Sequence, residues 1–525
     1  MTQPAPAHPE PGDSVVNTTE KIELLSEENQ QLREEVQHLK HRVAWFENQL
    51  FGRKSEKRLI DNPHQGSLLG EPTEPPAVDE PKVEITYQRG TAKKQRDDDC
   101  ITDTGLRFSG EVPVEVIRIE PPELQGAQAD QYEIIDTKIS HKLAQHPASY
   151  VVLRYELPVI KKKGTDTLKT TAMPPQVLDS CIADVSVLVG LLIDKFLYHL
   201  PLYRQHQRLQ QAGFTISRTT PTNWVKRSIE LLRPIVEAQL AHVLQSKILA
   251  MDETPIKASR ESKGKMKQGW FWPVYGEADE VVFTYSDSRG RQQVEKLLKS
   301  HFKGTLITDG YAAYARYVKK TEGITHAQCW VHSRRKFFEA DNQDAVGIIG
   351  RLYANEDAII EKGLSGEKKR DYRLKHSKPV VDEFFAWCNE QCQRSDLTPK
   401  HLLTKALRYA RHREHALRVF LEDPDVPLDT NHLEREIRPI PLGRKNWMFC
   451  WTELGAEHVG LIQSLISTCK LHDINPHTYL TDVLQRISSH PASKIEELTP
   501  RVWKEKFADN PLRSVLHKDF KHVSE

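Results

Sequence analysis

Apolar residues recur in heptads from Ile22 to Leu50. Ile22, Asn29, Val36, Val43 and Leu50 hold one core position, and Leu25, Leu32, Leu39 and Phe46 hold the other. β-Branched residues at a with Leu at d favour a parallel two-stranded coiled coil, and one buried Asn at a fixes its register. The flanking charges pair attractively across such a dimer, Glu28 with Arg33, Glu35 with Lys40 and Arg42 with Glu47. Residues 21–57 therefore predict a parallel homodimer with a basic end, Phe51 to Lys57; the alternative is an amphipathic helix docked on its own protein. Residues 1–20 predict disorder. Residues 61–98, with Pro72, Pro75, Pro76 and Pro81 among acids, predict a linker.

After the linker the period changes to two. Val112 to Ile119, Tyr132 to Ile139 and Tyr150 to Ile160 read as strands of a β-rich module over 99–170, folding on its own apolar core. Residues 171–245 return to a helical period: a buried helix from Asp184 to His199, a second from Leu202 to Gln211, and a third starting near Thr220-Pro221. Helix, short Gly-containing turn, helix is helix-turn-helix spacing. The third helix would offer Arg218, Thr219, Thr222, Asn223 and Lys226 to a DNA groove and turn Trp224 and Val225 to the core. A helical hairpin without DNA contact has the same pattern.

From 246 strands predominate: Ile248–Met251, an antiparallel pair Trp270–Tyr275 and Val281–Tyr285, a helix Gln292 to His301, the strands Thr305–Thr308 and Thr325–Gln328, and a helix from about His332. Residues 342–428 are helix-rich, through Val346–Ile360, Val380–Cys392 and Leu402–Phe420, with a basic run from Lys405 to Arg413 that reads either as a DNA-facing or as a solvated face. Two further helices, from Ala456 to Leu471 and from His477 to Ile487, precede a polar tail.

Candidate chemistry sits at the ends of these elements. Asp252 and Asp309 each close a short apolar run and are followed by a breaker, so each reads as a carboxylate at the C-terminal end of a buried strand, where α/β sheets place their chemistry. Glu434 shares a helical face with Asn431 and Arg438, although Asn-x-x-Glu is also a capping box. Two strand-end aspartates and a helix glutamate make an all-oxygen set suited to Mg²⁺ or Mn²⁺, the constellation of two-metal phosphodiester chemistry. Glu436 points elsewhere on its helix, Glu253 takes the opposite strand face from Asp252 as a structural residue, and Asp429 reads as a cap of the Glu434 helix, the alternative being an approach to the metal. Cys329 and His332 cannot close a zinc site alone, which leaves His332 near the site or in the core.

At 525 residues, the chain has room for several domains. Its 74 Lys and Arg offset 73 acids for a net charge of +1, so local clusters rather than the total carry information about partners. Seven Cys with no Cys-x-x-Cys pair argue against a disulfide framework. No secretory signal or membrane-spanning run is present, and a cytoplasmic protein is expected.

The segments "MDETP", "TDGYAAY", "AQCWVHSRRKFF", "NHLEREIRPIPLGRKNW" and "HLPLYRQHQRLQQAGFTISRTTPTNWV", with "LFGRKSEK" near the N-terminus, resemble the DDE transposases of the insertion-sequence-66 family, large transposase C type. The resemblance covers about 185–480. It implies a multidomain α+β protein: coiled coil, β-rich module, helix-turn-helix, and a ribonuclease-H-like catalytic domain over 246–341 and 429–470. That domain is interrupted by the α-helical insertion 342–428 and followed by the helical tail 471–525. Asp252, Asp309 and Glu434 would hold two Mg²⁺ or Mn²⁺, with Asn431 orienting Glu434. Arg334, Arg335, Arg438, Arg444 and Lys445 would bind phosphates, and Trp447 would stack a base. Implied partners are double-stranded DNA at element ends and target, further copies of the chain in a dimer or larger synaptic assembly, and small companion proteins of the same element. Pro221 departs from the apolar residue of the family pattern. The paired-cysteine zinc ligands of many relatives are missing, with Cys100 alone nearby. A metal-dependent nuclease on the same fold and a non-catalytic DNA-binding regulator are the rival readings.

Overall fold

The computed structural model describes residues 105–516, apart from 109, 111, 126–128, 147–148, 164–165, 167, 263–264 and 299–301. The expected N-terminal disorder, coiled coil, basic end and linker fall outside the described residues.

β1 (Val114–Arg118), β2 (Tyr132–His146), β3 (Ser149–Lys162) and β4 (Leu168–Thr170) form the first sheet, ordered β1-β3-β2 with β4 also on β3. β2 runs well past the expected end because Ser140, His141 and Lys142 interrupt the apolar pattern without interrupting the ladder. Lys142 is buried and donates from Nζ to the Cys181 carbonyl (3.0 Å), while the Gln145 N–H donates to Ser186 Oγ (2.9 Å). These contacts dock the sheet on the helices that follow, which corrects the expectation of an independent core. Among the described residues, the buried Ala144, Val151, Leu153 and Tyr155 form a small separate cluster with Ile117, Ile119, Met173 and Leu516 packed against it, whereas Leu143, Tyr150 and Val152 join the main core.

The helix Val185–Phe196 is capped by Asp184, whose carboxylate accepts from the Ser186 N–H (2.9 Å). Leu202–Gln211 has the expected bounds, and the third helix runs Thr219–Val243, placing Pro221 inside its first turn. Trp224 and Val225 are buried on it; Thr222, Asn223 and Lys226 are exposed. Arg218 is also exposed and lies over the Tyr203 ring, 4.7 Å from its centroid.

The second sheet contains β5 (Ile248–Met251), β6 (Thr254–Ser262), β7 (Lys265–Gly276), β8 (Glu280–Ser286), β9 (Gly304–Thr308) and β10 (Ile324–Gln328). On β7, Val274 faces Val282 on one edge and Met251 on the other, and Phe271 faces Tyr285 and Thr254 likewise. β5 and β6 are therefore one strand broken at Asp252 and Glu253. β9 runs parallel to β5 and β10 parallel to β9, giving the order β8, β7, β5/β6, β9, β10.

Helices cover both faces. Phe271 and Trp272 point to opposite sides. Phe271 lies beneath Gly460 of the helix Glu453–Leu471, and Trp272 meets Tyr314 of the helix Ala312–Lys320 edge-on. A Cβ at Gly460 would stand 2.5 Å from the Phe283 carbonyl oxygen, so glycine is what lets that helix approach. The free edge of β8 is closed by side chains. The Val281 N–H donates to Thr468 Oγ1 (3.2 Å), the Phe283 N–H to Ser464 Oγ (2.9 Å), and Gln239 Nε2 to the Val281 carbonyl (3.0 Å). A covered edge cannot pair with a foreign strand.

The insertion comprises helices Gln343–Glu361, Gly366–Tyr372, Lys378–Gln391, Leu402–Arg411 and Glu414–Glu422, with a π turn at Arg373–Ser377. The expected helix Leu402–Phe420 is two helices, parted at His412 and Arg413. Trp330, at the start of the helix Trp330–Glu339, stacks edge-on with Phe384 and Phe420 and donates from Nε1 to the Leu417 carbonyl (2.9 Å), so the insertion is built on an element of the sheet domain. Trp503 of the final helix, Pro500–Phe507, donates to Asp482 Oδ1 (2.9 Å) and anchors the C-terminal region. Among the described residues, no helix is long and apolar enough to cross a membrane.

Candidate active site

The break between β5 and β6 places Asp252 and Glu253 at the C-terminal end of β5, beside Asp309 at the end of the neighbouring parallel strand β9. One carboxylate oxygen from each of the three lies within 4.8 Å of the others. Burial, followed by the charges of Asp309 and Glu253 and a smaller effect of Glu434, pushes the Asp252 carboxyl up to about 8; the Glu253 N–H, donating to Asp252 Oδ1 (2.8 Å), opposes this. Buried beside two like charges, Asp252 has no cation among the groups that shift it.

Glu253 has one. Its carboxylate accepts from Arg289 Nε (2.9 Å) and from the Tyr314 hydroxyl (2.8 Å), and its side chain is only 3% exposed. The alternation rule would put it across the strand from Asp252, but the chain leaves the ladder at these two residues and the rule lapses.

Glu434 lies on the helix Asn431–Ile437, with His332 Nε2 3.6 Å from Oε1 and Arg335 3.7 Å from Oε2. Its Oε1 is buried without a hydrogen-bond partner, as is His332 Nδ1. Burial lowers the His332 pKa, against the pull of Glu434 and Asp309. His332 thus neighbours Glu434 and shares the lining of one cavity with Asp309. Cys329 is buried and accepts from the Thr430 N–H (3.4 Å), which occupies it structurally.

The loop after β9 is braced from below and from the insertion. Thr308 Oγ1 donates to the Asp309 carbonyl (2.9 Å), and His326 Nε2 donates to Thr308 Oγ1 (2.9 Å). Burial, with a smaller contribution from Arg413, pulls His326 down to about 4 and keeps it neutral. Arg413 donates to the Gly310 carbonyl (2.9 Å), and a Cβ at Gly310 would stand 2.3 Å from the Tyr409 hydroxyl. One member of the basic run therefore holds the Asp309 loop, while Lys405, Arg408 and Arg411 are exposed.

Beside Asp309 a cavity of about 340 Å³ is lined by Arg289, Tyr311, His332, Arg335, Lys336 and Tyr409. Arg335 was expected here from the sequence; Arg289, Lys336, Tyr311 and Tyr409 were not, since no spacing ties them to the aspartates. The other expected residues separate. Arg334 is half-buried near Tyr353. Arg438 and Lys445 are exposed. Arg444 donates to the Pro255 carbonyl of β6, and Trp447 packs against Gly443, where a Cβ would meet its Nε1 at 2.7 Å. The Asn431 carboxamide donates to Asp429 Oδ2 (2.7 Å), and Asp429 Oδ1 accepts from the Asn431 N–H (2.9 Å) at the helix start. Glu436 is directed to Ser467.

Asp252, Glu253 and Asp309 offer hard oxygen throughout and could hold a divalent cation of the Mg²⁺ or Mn²⁺ type; Glu434, whose Oε1 is buried without a hydrogen-bond partner, is not among the carboxylates gathered within 4.8 Å.

Comparison with known proteins gives the same direction. Residues 180–458 match the transposase IS66 family, 464–501 the IS66 C-terminal element, and 38–99 the family described as transposase C of IS166 homeodomain. Three uncharacterized proteins of Sinorhizobium fredii are similar. One, y4jD, is 28% identical over 510 residues, spanning 92% of this chain and 98% of its own; another, y4hP, is 29% identical over 393 residues, spanning 70% of each. With more than half of its length matched, the chain belongs to the IS66 family of DDE transposases, enzymes that act on DNA.

Proposed function

We propose that this chain is the strand transferase of its element: it binds the terminal repeats, hydrolyses the phosphodiester at each end to free a 3′-hydroxyl, and joins that hydroxyl to target DNA. The observation that carries this is the pairing of Asp252 and Asp309 at adjacent parallel strand ends, with Asp252 pushed up to about 8 by burial and by the charges of Asp309 and Glu253. The strand order β8, β7, β5/β6, β9, β10, with three antiparallel members and two parallel, supports a ribonuclease-H-like reading of the sheet.

Asp252, Asp309 and Glu434 would hold two Mg²⁺ or Mn²⁺, which when bound supply the charge for activating a water and stabilising the leaving oxygen. In the first step the water oxygen bonds to phosphorus as the 3′-oxygen departs and takes up a proton; in the second the freed 3′-hydroxyl gives up its proton and bonds to a target phosphorus, as the bond from that phosphorus to the target's own 3′-oxygen breaks and this oxygen takes up a proton. Arg335 and Lys336 face the cavity and hold the phosphate; Arg438 and Lys445 reach the flanking backbone. Glu253, tied to Arg289 and Tyr314, keeps Arg289 beside the cavity and stays out of the ligand set. Arg444 stiffens β6, and Asn431 acts on the start of the Glu434 helix through Asp429. The exposed Arg218, Thr222, Asn223 and Lys226 would read DNA as a helix-turn-helix, while the heptads of 21–50 and companion proteins would complete a synaptic assembly.

The test is incubation of the full-length protein with Mg²⁺, a duplex bearing the element's end, and a supercoiled target. The strand-transferase reading expects end-labelled DNA covalently joined to the target. Nicks without joining would make the protein a nuclease, and binding without either product would favour a regulator.

A further inference from the structure

Trp447 is held against its own helix, but four residues on Trp451 is 69% exposed, and Met448 is 68% exposed. Exposed large apolar groups on a rigid support call for a partner. The support here is a short bridge to the catalytic sheet: the Cys450 N–H donates to the Lys257 carbonyl (2.9 Å), and the Ser259 N–H to the Cys450 carbonyl (3.1 Å). The Phe449 ring backs Trp451 edge-on, with centroids 5.0 Å apart. Met448 has φ 62° and ψ −54°, a conformation that a bulky residue adopts only when its surroundings impose it. The segment bears the exposed cation Lys445, and Arg444 ties it to Pro255. From Asp252 to Ala258, beside which Cys450 sits, is six residues of one broken strand, on the order of 20 Å at roughly 3.3 Å per residue. That length matches about six base pairs of duplex.

We propose that Met448 and Trp451 form a wedge that unstacks a base step of the bound element end, within about six base pairs of the cleaved phosphate, with Trp451 stacking on the displaced base. This rests on the reading of the chain as an end-binding transposase. The exposed Lys445, three residues before Met448, favours a polyanion over a second copy of the chain as occupant.

The test scans thymines of an element-end duplex with permanganate, which attacks unstacked pyrimidines, in complexes with full-length protein and Ca²⁺ in place of Mg²⁺. Wild type is expected to make thymines hyper-reactive in that window. Trp451→Ala should lose the hyper-reactivity and bind the end about tenfold more weakly, the size of one base–aromatic stack, while Trp451→Phe retains both. Hyper-reactivity that persists in Trp451→Ala, or that is absent from a wild-type complex, overturns the wedge. So does a Trp451→Ala protein that changes its sedimentation but not its footprint, because the patch is then a self-association face. Failure of wild type to cleave in Mg²⁺ would count against the strand-transferase reading alone, since the footprint needs no cleavage.

Discussion

Asp252→Asn is expected to abolish DNA cleavage while making the metal-free protein more stable. The variant keeps the shape of the side chain and its bond with the Glu253 N–H. It loses the charge that Asp309 and Glu253 oppose. Cleavage should fall roughly a thousandfold or more, as expected when several kcal/mol of charge stabilisation leave the transition state. The stability effect has a definite sign. In the fold Asp252 keeps its proton up to about pH 8, whereas its ordinary value is 3.8. The folded state binds more protons between those limits, so this group's contribution is complete below the lower value and disappears as pH rises through the upper one. Asparagine never ionises, so the melting-temperature advantage of the variant should grow from pH 4 to pH 8. Mg²⁺ should raise the melting temperature of wild type, because it binds only the folded site, and should raise that of the variant much less. A variant less stable than wild type at pH 8, with an intact Mg²⁺ response, would mean that Asp252 faces no cation.

Arg373→Met should unfold the insertion, at a cost of about 3–5 kcal/mol for breaking a buried ion pair. Arg373 is fully buried. It grips Glu356 through Nε (2.8 Å) and Nη2 (2.7 Å), and its Nη1 reaches the carbonyls of Phe420 (2.7 Å) and Val426 (3.0 Å). Those carbonyls belong to the stretch leading to Leu428, which accepts from the Trp330 N–H (3.2 Å), and so to the helix of Glu434. Removal of the guanidinium leaves both a carboxylate and carbonyls unpaired, and frees the segment that aims Glu434. Denaturant unfolding should register the loss, limited proteolysis should cut within 343–428, and cleavage of DNA should fall with it. Adding Glu356→Leu should recover part of the stability by removing the stranded carboxylate. A single variant within 1 kcal/mol of wild type, on the scale of an exposed pair, would show that the insertion is held by its aromatic core alone.

Arg373 also shows where sequence reasoning stops. It stands in the polar stretch Tyr372-Arg-Leu-Lys-His-Ser377, and only the fold reveals that six hydrogen bonds converge on it. Short apolar runs were legible because burial on both faces leaves them nearly uniform: Ile248–Met251 and the core of β9 stand where the pattern put them. β6 was not, since Thr254, Ile256 and Ala258 alternate too weakly to announce a strand and Pro255 argues against one. Missing β6 hid the break at Asp252 and Glu253, and with it the approach of Glu253 to the site. The aspartate pair was readable because a carboxylate ending an apolar strand is costly without a role. The cavity's cations, Arg289 and Lys336, come from separate elements brought together only by packing.

Which glutamate completes the site is therefore the central question, and Mg²⁺-dependent cleavage of an element end by Glu434→Gln, Glu253→Gln and Glu436→Gln answers it most directly, with DNA binding measured in parallel. The account predicts that Glu434→Gln binds without cutting, that Glu253→Gln still cuts at a reduced rate, and that Glu436→Gln matches wild type. Cleavage by Glu434→Gln together with none by Glu253→Gln would contradict it, making Glu253 the third ligand and Arg289 its gatekeeper.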